Sequence, residues 1–371
     1  MSEKWDEKVI ELAKSLINCQ SYSGHEDKAA EALKAYMKAA GVFDEIEIDC
    51  YGNVIGHIKG KNPGSKVLFD GHIDTVPVGN LKDWKHDPFH AVVEDGKLYG
   101  RGAADMKGAV AAFTVAAHRY AVENGKNFAG DVYVAGVVHE ECFEGVAARK
   151  ISEKVKPDYV VIGEASEMNL KVGQRGRAEI VVETFGVPAH SANPEKGVNA
   201  VYKMCEAIQA IREIEPPVQD KLGKGILELT DVKSSPYPGA SVVPEYCRAT
   251  YDRRLLVGET KESVLQPIIE KMEELKKKDP QFSYKVSYAV GKEKCYTGEE
   301  IQGERFFPGW LFGAEEEWVA KIKSELEKEG FSPEVTTYNF CTNGSHYAGE
   351  AGIRTIGMGP ARENLAHTID E

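Results

Sequence analysis

Several features that mark whole classes of protein are scarce in this 371-residue sequence. Its seven cysteines are widely separated and never form a C-x-x-C pair, which argues against a disulfide framework and against a zinc site built from cysteine. They are Cys19, Cys50, Cys142, Cys205, Cys247, Cys295 and Cys341. Isolated thiols of this kind are typical of a protein from a reducing compartment.

Long apolar runs and excess basic charge are also lacking. Residues 1–20 predict an amphipathic helix without the apolar segment of a secretory signal, and no later segment is apolar enough to cross a bilayer. The chain carries 46 Lys and Arg against 59 Asp and Glu, a formal net charge of -13, which opposes binding to phosphate backbones. We therefore expect a cytoplasmic protein that binds neither nucleic acid nor a membrane.

A glycine-rich loop at residues 100–108 matches neither the dinucleotide fingerprint nor the P-loop pattern, which argues against an NAD-type enzyme. What the sequence does contain is a set of acidic and histidine clusters that directly follow apolar, strand-like runs. They are His72 with Asp74, Glu140 with Glu141, and Glu164. Because the carboxyl ends of parallel strands meet at one edge of a sheet, these clusters predict a single pocket.

The order of the predicted elements indicates an α/β fold with an insertion. Strands and helices alternate over residues 1–176 and again over 292–371, which predicts a mostly parallel sheet flanked by helices. Between them, residues 177–291 follow the order strand, helix, strand, strand, helix, strand, which is the ferredoxin-like βαββαβ pattern. We therefore expect a discontinuous catalytic domain interrupted by a second domain.

Two pairs of residues have spacings that suit a metal centre. His72 and Asp74 lie two apart in an extended segment, so one can bind a metal while the other orients the ring, directly or through a local turn. Glu140 and Glu141 are adjacent at a strand end and face different ways, so one can ligate while its neighbour acts as a general base. Alone, each pair also fits a solvated strand end.

The remaining candidate metal ligands are informative mainly when they are considered together. Asp105 alone fits a helix cap, and His367 alone fits a solvated tail, whereas Glu164 is most simply a ligand because it repeats the strand-end pattern. Two histidines and three carboxylates would hold two divalent ions, with one carboxylate bridging them. Zinc is the favoured metal, with cobalt or manganese as alternatives.

These residues, in this order, resemble the M20 family of metallopeptidases and N-acyl-amino-acid amidohydrolases, which includes carboxypeptidase G2, acetylornithine deacetylase and succinyl-diaminopimelate desuccinylase. The resemblance covers nearly the whole chain and implies a di-zinc catalytic domain. The implied ligands are His72, Asp105 and Glu164 for one metal, and Asp105, Glu141 and His367 for the other. By the same resemblance, Glu140 is the general base and Asp74 orients His72.

The resemblance also implies a homodimer formed through the inserted domain. His190 matches a histidine that this domain contributes to the partner's site to steady the scissile carbonyl, although on its own it fits a turn residue. Arg254 is the candidate for binding the carboxylate of an amino-acid substrate, since a guanidinium binds carboxylates through two hydrogen bonds. An arginine that contacts only solvent is the alternative.

The sequence departs from the family pattern at positions that bear on the substrate. Ser241 replaces an asparagine expected to touch the substrate, Asn343 replaces an aspartate, and His139 stands where relatives carry aspartate. This combination most resembles a branch linked to selenium and purine metabolism.

The sequence therefore predicts a hydrolase that cleaves an amide-type C–N bond of a small N-acyl or N-carbamoyl (ureido) amino acid. A dipeptidase or exopeptidase of the same family is the nearest alternative. A catalytically silent binding or scaffold protein is a third possibility, which the complete set of ligands and base disfavours.

Overall fold

The structure is a computed structural model that describes residues 4–371, so the first three residues of the helix predicted for 1–20 lie outside the described residues. The chain divides into two compact units. The first comprises the chain up to Gln174 together with Lys292–Gly303 and Trp310–Glu371. The second comprises Arg175–Gly291 together with the short segment Glu304–Gly309.

The helices, in chain order, are α1 (Trp5–Ile17), α2 (Asp27–Ala40), α3 (Lys107–Glu123), α4 (Ala148–Val155), α5 (Ala200–Arg212), α6 (Lys261–Lys278) and α7 (Glu317–Lys328). The strands are β1 (Glu45–Ile48), β2 (Val54–Lys59), β3 (Asn62–His72), β4 (Val92–Glu94), β5 (Lys97–Tyr99), β6 (Ala129–Val137), β7 (Tyr159–Ile162), β8 (Leu170–Gln174), β9 (Gly176–Phe185), β10 (Val218–Gln219), β11 (Gly223–Lys224), β12 (Ile226–Ser235), β13 (Tyr246–Leu255), β14 (Ser283–Tyr288), β15 (Val290–Lys294), β16 (Glu300–Glu304), β17 (Phe306–Phe307), β18 (Trp310–Leu311), β19 (Val335–Tyr338) and β20 (Arg354–Gly357).

A mixed sheet forms the centre of the first unit, in the order β1-β2-β6-β3-β7-β20-β8-β18, with β19 beside β8. Its central strands are parallel, because β3 pairs in parallel with β6 and β7, and β7 pairs in parallel with β20. The second half of β6 is apolar and buried on both faces, with Val134, Ala135 and Val137 in the core. The predicted mainly parallel sheet flanked by helices is confirmed.

The second unit is a four-stranded antiparallel sheet in the order β12-β13-β9-β14, and the short strand β17 also pairs with β9. Helices α5 and α6 supply the other half of its core. Ile180 and Val182 of β9 belong to one buried cluster with Met204 of α5 and Met272 of α6. The chain order β9-α5-β12-β13-α6-β14 confirms the predicted ferredoxin-like insertion. Over residues 4–371, no helix is both long and apolar enough to span a membrane.

Helix α3 packs very closely on the carboxyl ends of two central strands, and glycines make this approach possible. A Cβ at Gly71, on β3, would lie 2.7 Å from Cε of Met106 and 2.9 Å from Cζ of Phe113. A Cβ at Gly163, just after β7, would lie 2.9 Å from the same methionine Cε atom. The glycines that precede His72 and Glu164 therefore allow the helix and the strand ends to meet.

Replacing Gly71 by alanine is expected to overpack this contact and to destabilise the protein by about 1–3 kcal/mol. Urea denaturation would measure the loss. The matched control is Gly239→Ala, because a Cβ there meets nothing closer than 3.7 Å and gains only ordinary contacts. Equal stability of Gly71→Ala and the wild type would contradict this account of the packing.

Candidate metal centre

Three neighbouring parallel strands bring the predicted ligands to one edge of the sheet. His72 is the last residue of β3 and is in register with Val137 at the end of β6. Asp70 of β3 is in register with Ile162 at the end of β7. The segments that continue from β6 and β7 carry Glu140, Glu141 and Glu164, so these side chains converge on His72 because the strands end together.

The ring of His72 is buried, and its two nitrogens have different partners. Its Nδ1 lies 2.9 Å from the main-chain carbonyl oxygen of Asp74, which can only accept, so Nδ1 donates. Its Nε2 faces Asp105 Oδ1 at 2.9 Å and Glu164 Oε1 at 3.5 Å. Burial alone would lower the pKa of His72, but the hydrogen bond to Asp105 and the charge of Glu164 raise it well above its ordinary value.

Asp105 connects two histidines through its two carboxylate oxygens. Oδ1 faces His72, whereas Oδ2 lies 3.1 Å from Nε2 of His367. Burial would raise the pKa of Asp105, but the two imidazoles lower it below its ordinary value. A carboxylate with one oxygen toward each histidine is suited to bridging two cations.

His367 completes the second half of the cluster. Its Nε2 also lies 3.0 Å from Glu141 Oε2, and the hydrogen bonds to Asp105 and Glu141 raise the pKa of His367 to about 10. The alternative of a solvated tail histidine is therefore wrong, although this side chain remains half exposed. Asp105 is likewise not the helix cap that it would suggest alone, because Met106 occupies the cap position of α3.

Glu140 is buried beside this cluster without a partner for one of its oxygens. Its Oε1 has no hydrogen bond with any residue in the range 4–371. One ligand atom each of His72, Glu140 and Glu164 lie within 4.8 Å of one another, as do those of His72, Asp105 and Glu141. Burial raises the pKa of Glu140 well above its ordinary value, and the charges of Glu164 and Glu141 add to this effect.

This donor set fits divalent cations. Asp105, Glu140, Glu141 and Glu164 place four carboxylates within a small buried volume, and such groups are stable in ionised form only when paired or bound to metal. Nitrogen and oxygen ligands in this combination are those that zinc, cobalt and manganese prefer. The five predicted metal ligands, the predicted base Glu140 and Asp74 are thus gathered in the first unit.

Asp74 has a different set of contacts from the one expected. Its carboxylate lies 3.6 Å from Nδ1 of His72, whose hydrogen bond goes to the main chain instead. The two carboxylate oxygens accept the main-chain N–H groups of Glu140 and Glu141, both at 3.1 Å. Asp74 therefore orients His72 through its carbonyl group and holds the Glu140–Glu141 turn through its side chain.

Two supporting residues escaped the sequence prediction. Ser23 donates to Oδ2 of Asp74 at 2.7 Å, and buried Glu26 accepts the main-chain N–H of His139, which has a left-handed conformation with φ 56°. Burial and the charge of Asp74 raise the pKa of Glu26 to about 8. Both residues lie in a polar segment between helices, and nothing in their local sequence distinguishes them from ordinary capping residues.

Asn343 lies in the first unit but turns inward. Its Nδ2 donates to Asp70 Oδ1 at 2.9 Å, and its Oδ1 accepts the N–H of Gly145 at 2.9 Å. Tyr347 donates to the other oxygen of Asp70. The side chain of Asn343 is thus buried beneath the strand that carries His72, and its contact with substrate stays a prediction.

The other predicted contacts lie in the second unit. His190 is exposed and forms a bridge with Val242, and the N–H of Ser191 donates to the carbonyl oxygen of Ser241. Nδ1 of His190 accepts the N–H of Ala192 at 3.0 Å. Arg254 is part of an ion pair with Asp252 at 3.0 Å and keeps a partly exposed side chain.

Comparisons with known proteins agree with this geometry. The family model described as peptidase family M20/M25/M40 matches residues 68–371. The uncharacterized protein YgeY of Escherichia coli strain K12 is 32% identical over 373 residues, covering 98% of this chain and 89% of that protein. Succinyl-diaminopimelate desuccinylase 2 of a Ruegeria species is 28% identical over 378 residues, with the same two coverages.

A solved structure supports the fold. The YXEP protein of Bacillus subtilis, described as a dinuclear metal-binding peptidase of the M20 family, superposes with a TM-score of 0.68. The match covers 99% of this chain and 93% of that chain at 12% identity. The family model over residues 68–371 confirms the resemblance to the M20 family, and this superposition confirms the fold.

Removing the carboxylate of Asp105 tests the prediction that this residue bridges two ions. The wild type is expected to bind close to two divalent ions per chain, and Asp105→Ala should lose both, since each half of the cluster depends on this residue. Elemental analysis after gel filtration would measure the content. Glu153→Ala, at an exposed position on α4, is the control. Retention of both ions by Asp105→Ala would refute the bridging assignment.

Proposed function

Because this chain belongs to peptidase family M20 and is a metal-dependent amidohydrolase, we propose that it cleaves the amide-type C–N bond of a small N-acyl or N-carbamoyl amino acid at a two-metal site, with zinc as the physiological metal. The observation that carries the proposal is the placement of the two oxygens of Asp105 between His72 and His367, beside the unpaired carboxylate of Glu140.

Two divalent ions at this site would polarise the substrate carbonyl and increase the acidity of a nearby water. Glu140 is the group that takes a proton from the attacking water, because its carboxylate is buried in the cluster and has a raised pKa. The same carboxyl then returns the proton to the departing nitrogen. Glu141 differs from Glu140 in its contact with His367, which supports a role as ligand.

His190 is proposed to donate to the carbonyl oxygen of the substrate in the partner subunit of a homodimer. Since its Nδ1 accepts a main-chain N–H, its proton resides on Nε2, which is the form that can donate to an oxyanion. Arg254 is proposed to bind the substrate carboxylate, because its guanidinium stays partly exposed while it pairs with Asp252. Ser241 is proposed to contact the substrate near His190. Its side chain is shorter than the asparagine that relatives carry at this position.

An N-acyl substrate is favoured over a dipeptide by the desuccinylase relative, whose name describes removal of a succinyl group from an amino acid. Zinc-loaded protein would be tested against matched N-acetyl, N-succinyl, N-carbamoyl and dipeptide substrates. We expect turnover of at least one N-acyl or N-carbamoyl compound above that of every dipeptide. Turnover of dipeptides alone would replace this proposal by the exopeptidase alternative, and no turnover of any compound would favour a silent binding protein.

Glu140→Gln should keep the metals and lose most of the turnover, because the amide has the same shape but cannot take up a proton. General bases contribute about two to four orders of magnitude to the rate. Turnover number and metal content would be measured on the same preparation. Loss of metal from this variant would mean that Glu140 is a ligand.

Glu141→Gln serves as the reciprocal variant. An amide is a weaker ligand than a carboxylate, so this variant should lose the ion shared with Asp105 and His367, and its activity should recover partly when excess zinc is added. Elemental analysis and zinc titration of activity would show both effects. The same pattern of metal loss in Glu140→Gln and Glu141→Gln would refute the division of roles.

The dimer proposal can be tested by mixing inactive variants. His190→Ala should lower turnover with metal content unchanged. A heterodimer of His190→Ala with Glu140→Gln would contain one site with an intact Glu140 and the partner's intact His190, so activity should reappear after subunit exchange. Mass spectrometry would verify that the subunits have exchanged. If activity does not recover after verified exchange, His190 does not act across subunits.

A further inference from the structure

A buried ion pair joins two segments of the first unit that are distant in sequence. Nη1 of Arg101 contacts Oε2 of Glu371, and the main-chain N–H of Gly102 donates to Oε1 of the same carboxylate. The N–H of Gly100 donates to the carbonyl oxygen of Glu371 at 3.0 Å. The Arg101 and Glu371 side chains are 3% and 0% exposed, so water cannot take over these hydrogen bonds.

Further contacts attach both segments to a third one, at residues 84–86. The carboxylate of Asp370 accepts the main-chain N–H groups of Lys85 and His86 at 3.1 and 3.0 Å. The guanidinium of Arg101 lies 5.1 Å from the ring centroid of Trp84. The segment that follows His367 is therefore attached to the segment that leads to Asp105 directly through Glu371 and indirectly through residues 84–86.

The position of this pair relates it to one metal in particular. Arg101 lies four residues before Asp105, and Glu371 lies four residues after His367. Asp105 and His367 come within 3.1 Å of each other and, with Glu141, form the half of the cluster that lies away from Glu164. A displacement of either segment would separate these two side chains, whereas His72 and Glu164 are held by strands β3 and β7.

Stability alone is a poor reason for such a pair. Burying an arginine and a glutamate removes water from two charges, and their attraction commonly fails to repay that cost. Burial raises the pKa of the Glu371 carboxyl to about 7 even though Arg101 acts in the opposite direction. A buried pair of this kind is better explained by the geometry that it specifies.

We propose that Arg101 and Glu371 are positioning residues that hold Asp105 and His367 at the distance required by the metal ion that these two share with Glu141. The inference rests on the two-metal site proposed above. Neither residue belongs to the proposed set of ligands. Their loss should weaken the binding of one ion and leave the ion held by His72 and Glu164 in place.

The test is a zinc titration of metal-free wild type and Glu371→Gln in competition with a chelator, which yields a dissociation constant for each ion. The amide keeps the size of the side chain and can still accept from Gly102, but it removes the charge that pairs with Arg101. Groups that orient metal ligands typically change affinity by about 10- to 100-fold. We expect a loss in this range for one ion and an unchanged affinity for the other.

The second unit supplies a matched control. Arg253 and Glu259 form another buried ion pair, and Glu259 also accepts a main-chain N–H, from Leu256. Glu259→Gln removes the same chemistry far from Asp105 in sequence. It should lower the unfolding temperature to a similar degree and leave both zinc affinities unchanged. Arg101→Lys should restore part of the affinity lost in Arg101→Met, since it keeps the positive charge.

Three results would contradict the positioning role of Arg101 and Glu371. Wild-type affinities for both ions in Glu371→Gln, equal weakening of both ions, or selective weakening in Glu259→Gln would overturn the proposal. If Glu371→Gln does not fold, Glu371→Asp replaces it, and unchanged affinity for both ions in that variant would also overturn it. Failure of the wild type to bind zinc would remove the proposed two-metal function together with this inference, whereas binding of two ions with no selective effect would remove the inference alone.

Discussion

The rest of the first unit depends on one electrostatic constraint, namely that four carboxylates crowd around the buried imidazole of His72, with the half-exposed ring of His367 at the edge of the cluster. Asp105, Glu140, Glu141 and Glu164 repel one another there, and burial makes each charge costly. Such a cluster persists only if cations balance it and if the surrounding chain resists its expansion. The neighbouring structure provides that resistance through main-chain hydrogen bonds, close helix packing and buried charge pairs.

The parallel sheet is what makes this concentration of charge possible. Strands β3, β6 and β7 end at the same edge, so short continuations of each strand place their side chains together without long loops. Glycines at the strand ends let helix α3 approach, and Asp105 immediately precedes the start of this helix. The same close packing of α3 against the strand ends therefore builds the core and positions Asp105 in the site.

The backbone and the side chain of Asp74 position different residues of the site. Its carbonyl group fixes the ring of His72, and its carboxylate holds the turn that carries Glu140 and Glu141. One residue thus orients His72, the proposed base Glu140 and Glu141, of which the first and last are proposed metal ligands. In the second unit, the main-chain hydrogen bond to His190 likewise selects the tautomer of an exposed ring.

The sequence by itself determined the class of fold, because alternating strand and helix patterns and continuous apolar runs predict a mainly parallel sheet. It also indicated the candidate site residues at the strand ends, and the resemblance to the M20 family supplied their predicted roles. Asp105 and His367 were ambiguous alone, since a cap and a tail use the same residue types. Only the tertiary structure decided which atoms meet: the carbonyl of Asp74 at His72, the inward turn of Asn343, and the pairing of Arg101 with Glu371. Some of these contacts join residues that are distant in sequence, and the contact of Asp74 with His72 depends on the direction of the backbone. Neither can be predicted from the local sequence pattern.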